Sequence, residues 1–376
     1  MGIIAPMKTF LKKLIQADST PQAGELAASR VIQEEFAAYG IDCRVETWDD
    51  HHANCLVHVK SSGQKKALLF VCHHDVVSPG EVPWEHDPFS GLEQDGKIFG
   101  RGATDMKGGL AAAAAAIGQL ANAGVTLQGD IIFVATAGEE TDSCGVIRFV
   151  ENSSWLPELA GIVIPEPTGF DIIHAHRGLL WLEIKTLGKT AHASQPHLGI
   201  NAIDSMKAVL SVLEDFNLGV EPHPHLGRCS MNLSTIHGGN ALNVVPDQCR
   251  LGIDIRTLPA QRHQDIVRQV QARLAELTEK NPDFEATLSV IRSVEALETD
   301  TQCDFAMTFR AATDIHELKP VGFTTDGPWL VPLNAPILIF GPGDGAMCHQ
   351  PNEYILISDL ERAVDYYQRI IRAFLT

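Results

Sequence analysis

The sequence predicts an α/β layer protein interrupted by a smaller two-layer α+β unit, and three observations carry that expectation. Fully apolar segments ("KALLFVCHH", "GDIIFVATAGEE", "AGIVIPEP", "APILIFGPGDG") recur among helical stretches, as strands covered on both faces do. After about residue 176 the pattern changes to the alternation of half-exposed antiparallel strands. From about residue 290 it changes back. The expected domains are therefore 1–176 and 289–376 as two parts of a larger unit, with 177–288 inserted between them.

Taken in order, residues 7–40 read as amphipathic helices broken around "STPQAG", the second ending at Gly40. "IDCRVETW" and "ANCLVHVK" are β-type segments, followed by the apolar strand "KALLFVCHH". "DMKGGLAAAAAAIGQLANAG" is a strong helix by propensity, and its alanine run predicts a thin helical face packed closely against a sheet. "GDIIFVATAGEE" and "AGIVIPEP" are buried strands, the first running into a loop. In the inserted unit, "GLLWLEIKTLGKTAHAS" and "CSMNLSTIHGGNALNVVPDQCRLGIDIRTL" alternate, and amphipathic helices are expected near 200–216 and 260–280. "APILIFGPGDG" and a helix from 357 close the chain.

The bulk properties remove several function classes. Lys and Arg number 29 against 47 Asp and Glu, a formal charge of −18, which argues against nucleic acid and anionic membranes as partners. The eight cysteines include no CxxC pair, so reduced thiols are expected, with neither a disulfide framework nor a thiolate zinc site. No signal-peptide pattern or transmembrane-length apolar run is present, so the expectation is a soluble cytoplasmic protein, with Met7 an alternative start.

Chemistry collects at the ends of the apolar strands. His73 and Asp75 follow "LLFVC", Asp105 sits in "GRGATDMKGG", Glu139 and Glu140 follow "IIFVATAG", Glu166 follows "GIVIP", and His349 lies in "GPGDGAMCHQPNEY". In an open α/β sheet the carboxyl ends of the strands line the ligand crevice. Alone, the His73–Asp75 cluster also reads as a solvated strand end, and the Glu139–Glu140 pair as an acidic helix start. Together, imidazole and carboxylate without thiolate suit Zn²⁺, Mn²⁺ or Co²⁺. His73 and Asp75 share a strand face, so Asp75 is placed to orient a ligating His73. Of two adjacent glutamates, one can bind metal while the other moves a proton. "GRGATD" fails the GxGxxG pattern and no GxSxG elbow exists, which argues against nucleotide binding and a serine nucleophile.

These residues reach a resemblance. "CHHDVV" resembles the H-x-D motif, "GRGATDMKGG" the bridging-aspartate motif and "AGEE" the base-plus-ligand motif of the M20 metallopeptidase family. "PEPTG", "GKTAHAS", "NALNVVPD" and "GPGDGAMCHQPNEY" match in the same order across nearly the whole chain. The resemblance implies a zinc-exopeptidase-like catalytic domain, a mixed and mainly parallel sheet between helices, interrupted by a lid or dimerisation domain. It implies two Zn²⁺, with Co²⁺ or Mn²⁺ as substitutes. Asp105 would bridge them, with His73 and Glu166 on one ion and Glu140 and His349 on the other. Glu139 would be the general base, Asp75 would hold His73, and His192 would stabilise the oxyanion, often across a homodimer interface. Asn243 and Arg256 would grip the substrate's polar end, although each also reads plainly, Asn243 as a turn residue and Arg256 as half of a cross-strand ion pair.

The implied activity is hydrolysis of an N-acyl amino acid or short peptide. Acetylornithine-like deacetylation leads. Succinyl-diaminopimelate desuccinylation, an aminoacylase or an M20 di- or carboxypeptidase follow. A catalytically silent binding protein of the same fold is the alternative outside enzymes, and loss of Glu139 or of a ligand would favour it. None is missing.

Overall fold

The computed structural model describes residues 4–214 and 216–376. Residues 1–3 of the N-terminal segment, and Asp215 within the expected 200–216 helix, lie outside the described residues. The chain divides into two compact units. One comprises residues up to His174 with Thr299–Lys319 and Thr325–Thr376, the other Ala175–Glu298 with Pro320–Thr324.

In the first unit four strands lie side by side and run parallel: Ile131–Thr136, Ala67–His73, Leu159–Ile164 and Ile337–Ile339. Antiparallel strands flank them, Ala53–Val59 and Cys43–Thr47 on one side and, on the other, Ile172–His176, whose last two residues belong to the second unit. The sheet is thus mixed around a parallel centre. Ala67–His73 and Ile131–Thr136 are buried at every residue, which is why they read as unbroken apolar runs. Helices Ile4–Gln16, Leu26–Ala38, Lys107–Asn122 and Ile357–Leu375 contribute to the large apolar core beside this sheet.

The alanine-rich helix departs from the expectation of a thin packed face. Thirteen of the sixteen residues of Lys107–Asn122 are buried, so it is enclosed nearly all round. The sheet lies against it together with Ile4–Gln16 and Ile357–Leu375. Methyl-sized side chains let neighbours approach from every direction. A Cβ at Gly109 would overlap the Pro165 carbonyl oxygen, so glycine there lets the helix pass directly beside the segment carrying Glu166. Among the described residues no helix is long and apolar enough to cross a membrane.

The second unit holds a four-stranded antiparallel sheet in the order Ser230–Gly238, Gln248–Thr257, Gly178–Leu187, Glu285–Val294. Ala202–Glu214 and His263–Lys280 share its apolar core. Along Gln248–Thr257 the core-facing residues Leu251, Ile253 and Ile255 alternate with Gly252, Asp254 and Arg256.

Two buried histidines in this unit set an acid limit on its stability. His263 is 3% exposed, with Nε2 2.8 Å from Thr257 Oγ1 and Nδ1 2.8 Å from Ser293 Oγ. Burial pushes it down to about 4. His176 is fully buried and is likewise pushed down to about 4 by burial, despite its contact with the Arg177 carbonyl. A depressed folded value means that the unfolded chain binds more protons between pH 4 and 6.5. The stabilisation is therefore present above the unfolded value and lost as pH falls toward 4, by about 2 kcal/mol per residue at pH 5. Denaturant unfolding at pH 7.5 and 5.0 should show this loss, and His263→Gln should lose less. An equal loss in the variant would exclude His263 as a cause.

Candidate active site

The parallel centre of the sheet brings the strand-end residues to one edge. His73 ends Ala67–His73 in register with Thr136, which ends Ile131–Thr136. Glu139 and Glu140 follow Thr136 in a turn, well before the next helix begins at Cys144, so they are not an acidic helix start. Glu166 follows Ile164. Asp105 precedes the helix Lys107–Asn122, and His349 follows the strand Ile337–Ile339.

Asp105 stands between the two imidazoles. Its Oδ1 is 3.1 Å from His73 Nε2 and its Oδ2 is 3.4 Å from His349 Nε2. His73 Nε2 also lies 3.6 Å from Glu166 Oε1, and His349 Nε2 lies 3.0 Å from Glu140 Oε1. Ligand atoms of His73, Asp105 and Glu140 all fall within 4.8 Å of one another. His73 is contacted from behind by Asp75. Its Nδ1 is 3.0 Å from the Asp75 main-chain oxygen and 3.5 Å from the carboxylate. The Asp75 carboxylate also accepts the main-chain N–H groups of Glu139 at 3.1 Å and Glu140 at 3.0 Å. One residue therefore fixes both the imidazole and the adjacent glutamates.

The electrostatics match a cation site. Burial opposes protonation of His73, yet Glu166, Asp105 and Asp75 outweigh it and hold the imidazole well above its usual range. Asp105 and Glu140 raise His349 to about 10. Burial works against Asp105, but His349 and His73 hold it well below the carboxylate range. Burial pushes Glu139 and Glu166 well up, with neighbouring carboxylates adding to it. Protons are thus drawn onto imidazoles and glutamates alike, the behaviour of a donor set matched to more positive charge than the chain supplies. Imidazole nitrogen with carboxylate oxygen is a donor set for divalent zinc, cobalt or manganese, and the residues fit such ions.

Sequence reasoning missed several residues around this cluster. Asp326 is 3% exposed, with Oδ2 3.2 Å from Thr136 Oγ1, and burial pushes it up to about 7. Lys107 is fully buried and donates from Nζ to the Leu14 carbonyl at 2.8 Å and the Ala17 carbonyl at 3.0 Å, a cation at a helix C-terminus. Glu353 is fully buried behind Asp105. Lys107 and Glu353 lie inside stretches already quoted, in "DMKGG" and "PNEY", whereas Asp326 in "TTDG" lies in none of them.

The remaining expected residues lie in the second unit. His192 is exposed, with Nδ1 2.7 Å from Ser194 Oγ, and it is brought beside Asn243, whose carbonyl accepts the Ala193 N–H at 3.0 Å. Arg256 forms an ion pair, but along its own strand rather than across strands. Its Nε donates to Asp254 Oδ1 at 2.9 Å and Nη2 to Oδ2 at 3.1 Å. Trp181 Nε1 donates to the same Asp254 carboxylate at 2.6 Å.

A model of peptidase family M20/M25/M40 matches residues 69–373. The chain belongs to this family. An acetylornithine deacetylase of Buchnera aphidicola is 33% identical over 295 residues, covering 77% of this chain and 75% of that protein. A probable succinyl-diaminopimelate desuccinylase of Staphylococcus epidermidis is 28% identical over 388 residues, covering 93% of each. Among solved structures, an M20 family metallo-carboxypeptidase from Sulfolobus solfataricus superposes with a TM-score of 0.82 at 17% identity, covering 98% of this chain and 99% of that one. This M20 chain is accordingly a hydrolase of a metal-dependent family.

Proposed function

We propose that this M20 hydrolase releases the acyl group from an N-acyl amino acid, with a basic amino acid such as acetylornithine as the leading substrate. The observation that carries the reading is Asp105, whose two oxygens face one imidazole each. In this reading Asp105 bridges two Zn²⁺, for which Co²⁺ or Mn²⁺ substitute. His73 and Glu166 hold one, and Glu140 and His349 hold the other. When bound, the ions acidify the attacking water and polarise the scissile carbonyl. Glu139 takes the proton of that water and delivers it to the departing amine, so amide and water become carboxylic acid and amine. Asp75 keeps Glu139 in place through its main-chain N–H. His192 supports the oxyanion, its ring steadied by Ser194. Asn243 and Arg256 bind the free carboxylate. Asp254 engages Nε and Nη2 of Arg256, so the rest of the guanidinium fork is the part offered to substrate.

The deacetylase relative supports the leading reading, and the desuccinylase relative supports the runner-up, ahead of an aminoacylase or an M20 di- or carboxypeptidase. We also propose a cytoplasmic homodimer joined through the inserted unit. Leu233 and Ile236, exposed on the edge strand Ser230–Gly238, support it, and light scattering tests it.

The deciding experiment measures primary-amine release from N-acetylornithine, N-acetylcitrulline, N-succinyl-diaminopimelate, N-acetylmethionine and an Ala-Ala dipeptide. Each is run with metal-depleted protein and again after adding Zn²⁺ or Co²⁺. Metal-dependent turnover of acetylornithine supports the proposal, and turnover of another acyl amino acid moves it to that branch. Activity on the dipeptide alone makes the protein a peptidase. Silence with metal bound refutes the substrates, and silence without metal binding refutes the site.

A further inference from the structure

Glu353 accepts four hydrogen bonds inside the protein. Oε1 receives the main-chain N–H of Thr104 at 2.8 Å and of Asp105 at 3.1 Å. Oε2 receives Arg101 Nη1 at 2.6 Å and the Gly102 N–H at 3.1 Å. Four donors occupy the four lone-pair directions of a carboxylate, and the side chain is 0% exposed. Around it, the Gly100 N–H donates to the Glu353 carbonyl at 2.9 Å and Thr104 Oγ1 donates to the Tyr354 carbonyl at 2.6 Å. Arg101 is 2% exposed and stacks on Trp84, with 5.0 Å from its guanidinium carbon to the ring centroid. Residues 100–105 are therefore stapled to residues 353–354.

Asp105 ends the first of these segments, and His349 lies four residues before the second. His349 has a positive φ of 62°, a conformation that an L-residue keeps only where its surroundings hold it. Asp105 must present opposite oxygens to His73 and His349, and its own main-chain N–H ends on Glu353. We propose that Glu353 is a positioning residue. It locks the loop 101–105 against the His349 segment, so that the Asp105 carboxylate faces both imidazoles at once. The proposal rests on the metal site described above.

The test is Zn²⁺ and Co²⁺ titration of metal-depleted wild type, Glu353→Gln and Glu353→Asp by calorimetry, with metal content after dialysis. A glutamine amide would turn its NH₂ toward two of the four donors, so E353Q should bind metal 10–100-fold more weakly and lose kcat in proportion, while KM stays near wild type. E353D keeps the charge and should recover part of both. Tyr367→Phe removes a buried hydrogen bond in the same unit that ends on the Phe340 carbonyl rather than on Glu353 or residues 101–105, and controls for general destabilisation. It should leave metal affinity unchanged at a comparable loss of Tm. Wild-type metal affinity in E353Q overturns the proposal, as does a loss in Y367F equal to that in E353Q. If E353Q does not fold, E353D decides on the same criterion. Failure of the wild type to bind metal instead overturns the metal site itself.

Discussion

Glu139→Gln is expected to keep the metal content of the protein and to lower kcat by about 10²–10⁴-fold. The substitution changes one atom of the side chain and leaves the main-chain N–H that donates to Asp75 in place. What disappears is the ability to take a proton. Burial pushes the Glu139 carboxyl well above its usual range, and Asp326, Glu140 and Glu166 add to that while His73 opposes it. A carboxylate raised in this way is a stronger base than an exposed one, which suits it to a proton that must be taken up and handed on near neutral pH. Replacing one of several crowded carboxylates by a neutral amide also relieves repulsion, so the variant should be no less stable than the wild type. Glu140→Gln is the contrasting case. Glu140 contacts His349, so its loss should lower metal content and activity together. Steady-state kinetics with metal analysis separate the two. Unchanged turnover in Glu139→Gln, or a fall that simply follows metal loss, would remove Glu139 from the proton-transfer role.

The readable part of this site was its strand-end geometry. Strands buried on both faces leave long apolar runs, so His73, Glu139 and Glu166 stood out as the first ionisable residues beyond them. Residues whose partners are distant in sequence could not be read this way. Asp326 meets Thr136 across 190 residues, and Glu353 meets Thr104 across 249. Neither residue has a local pattern that distinguishes a buried acceptor from an acidic loop. The carboxylate of Asp75 faces His73 as expected, and the two main-chain donors it also takes depend on how the Glu139 turn folds back. The strands Leu92–Gln94, Lys97–Phe99 and Tyr354–Leu356 escaped detection because three residues are too few to show a period. The enclosed alanine helix was ambiguous for a related reason. Methyl side chains carry no amphipathic stripe, so nothing along Lys107–Asn122 said how many faces would be covered.

Asp105→Asn is expected to abolish the stabilisation of the protein by added Zn²⁺ and to lower kcat by about 10³-fold, the equivalent of several kcal/mol of electrophilic assistance. The carboxylate presents an acceptor to each side, with Oδ1 toward His73 and Oδ2 toward His349. An amide of the same shape presents one oxygen and one NH₂. Whichever way it turns, one imidazole faces a donor where it faced an acceptor, and half of the proposed bridging position is lost. The two imidazoles also lose the charge that Asp105 contributes to raising them. In the wild type, a ligand that binds only the folded state raises stability by RT ln(1 + [L]/Kd), about 2.7 kcal/mol at a hundredfold excess over Kd. Thermal melts across a Zn²⁺ series should therefore climb for the wild type and remain nearly flat for Asp105→Asn. The variant should still fold, because the main-chain N–H of residue 105 and its bond to Glu353 remain. A wild-type-like climb in Tm would mean that Asp105 does not bridge, and that His73 with Glu166 and His349 with Glu140 hold their ions separately. In that case Asp105 would serve only to orient the two imidazoles, and kcat in the variant should fall by no more than the 10–100-fold typical of a residue that supports a ligand from behind.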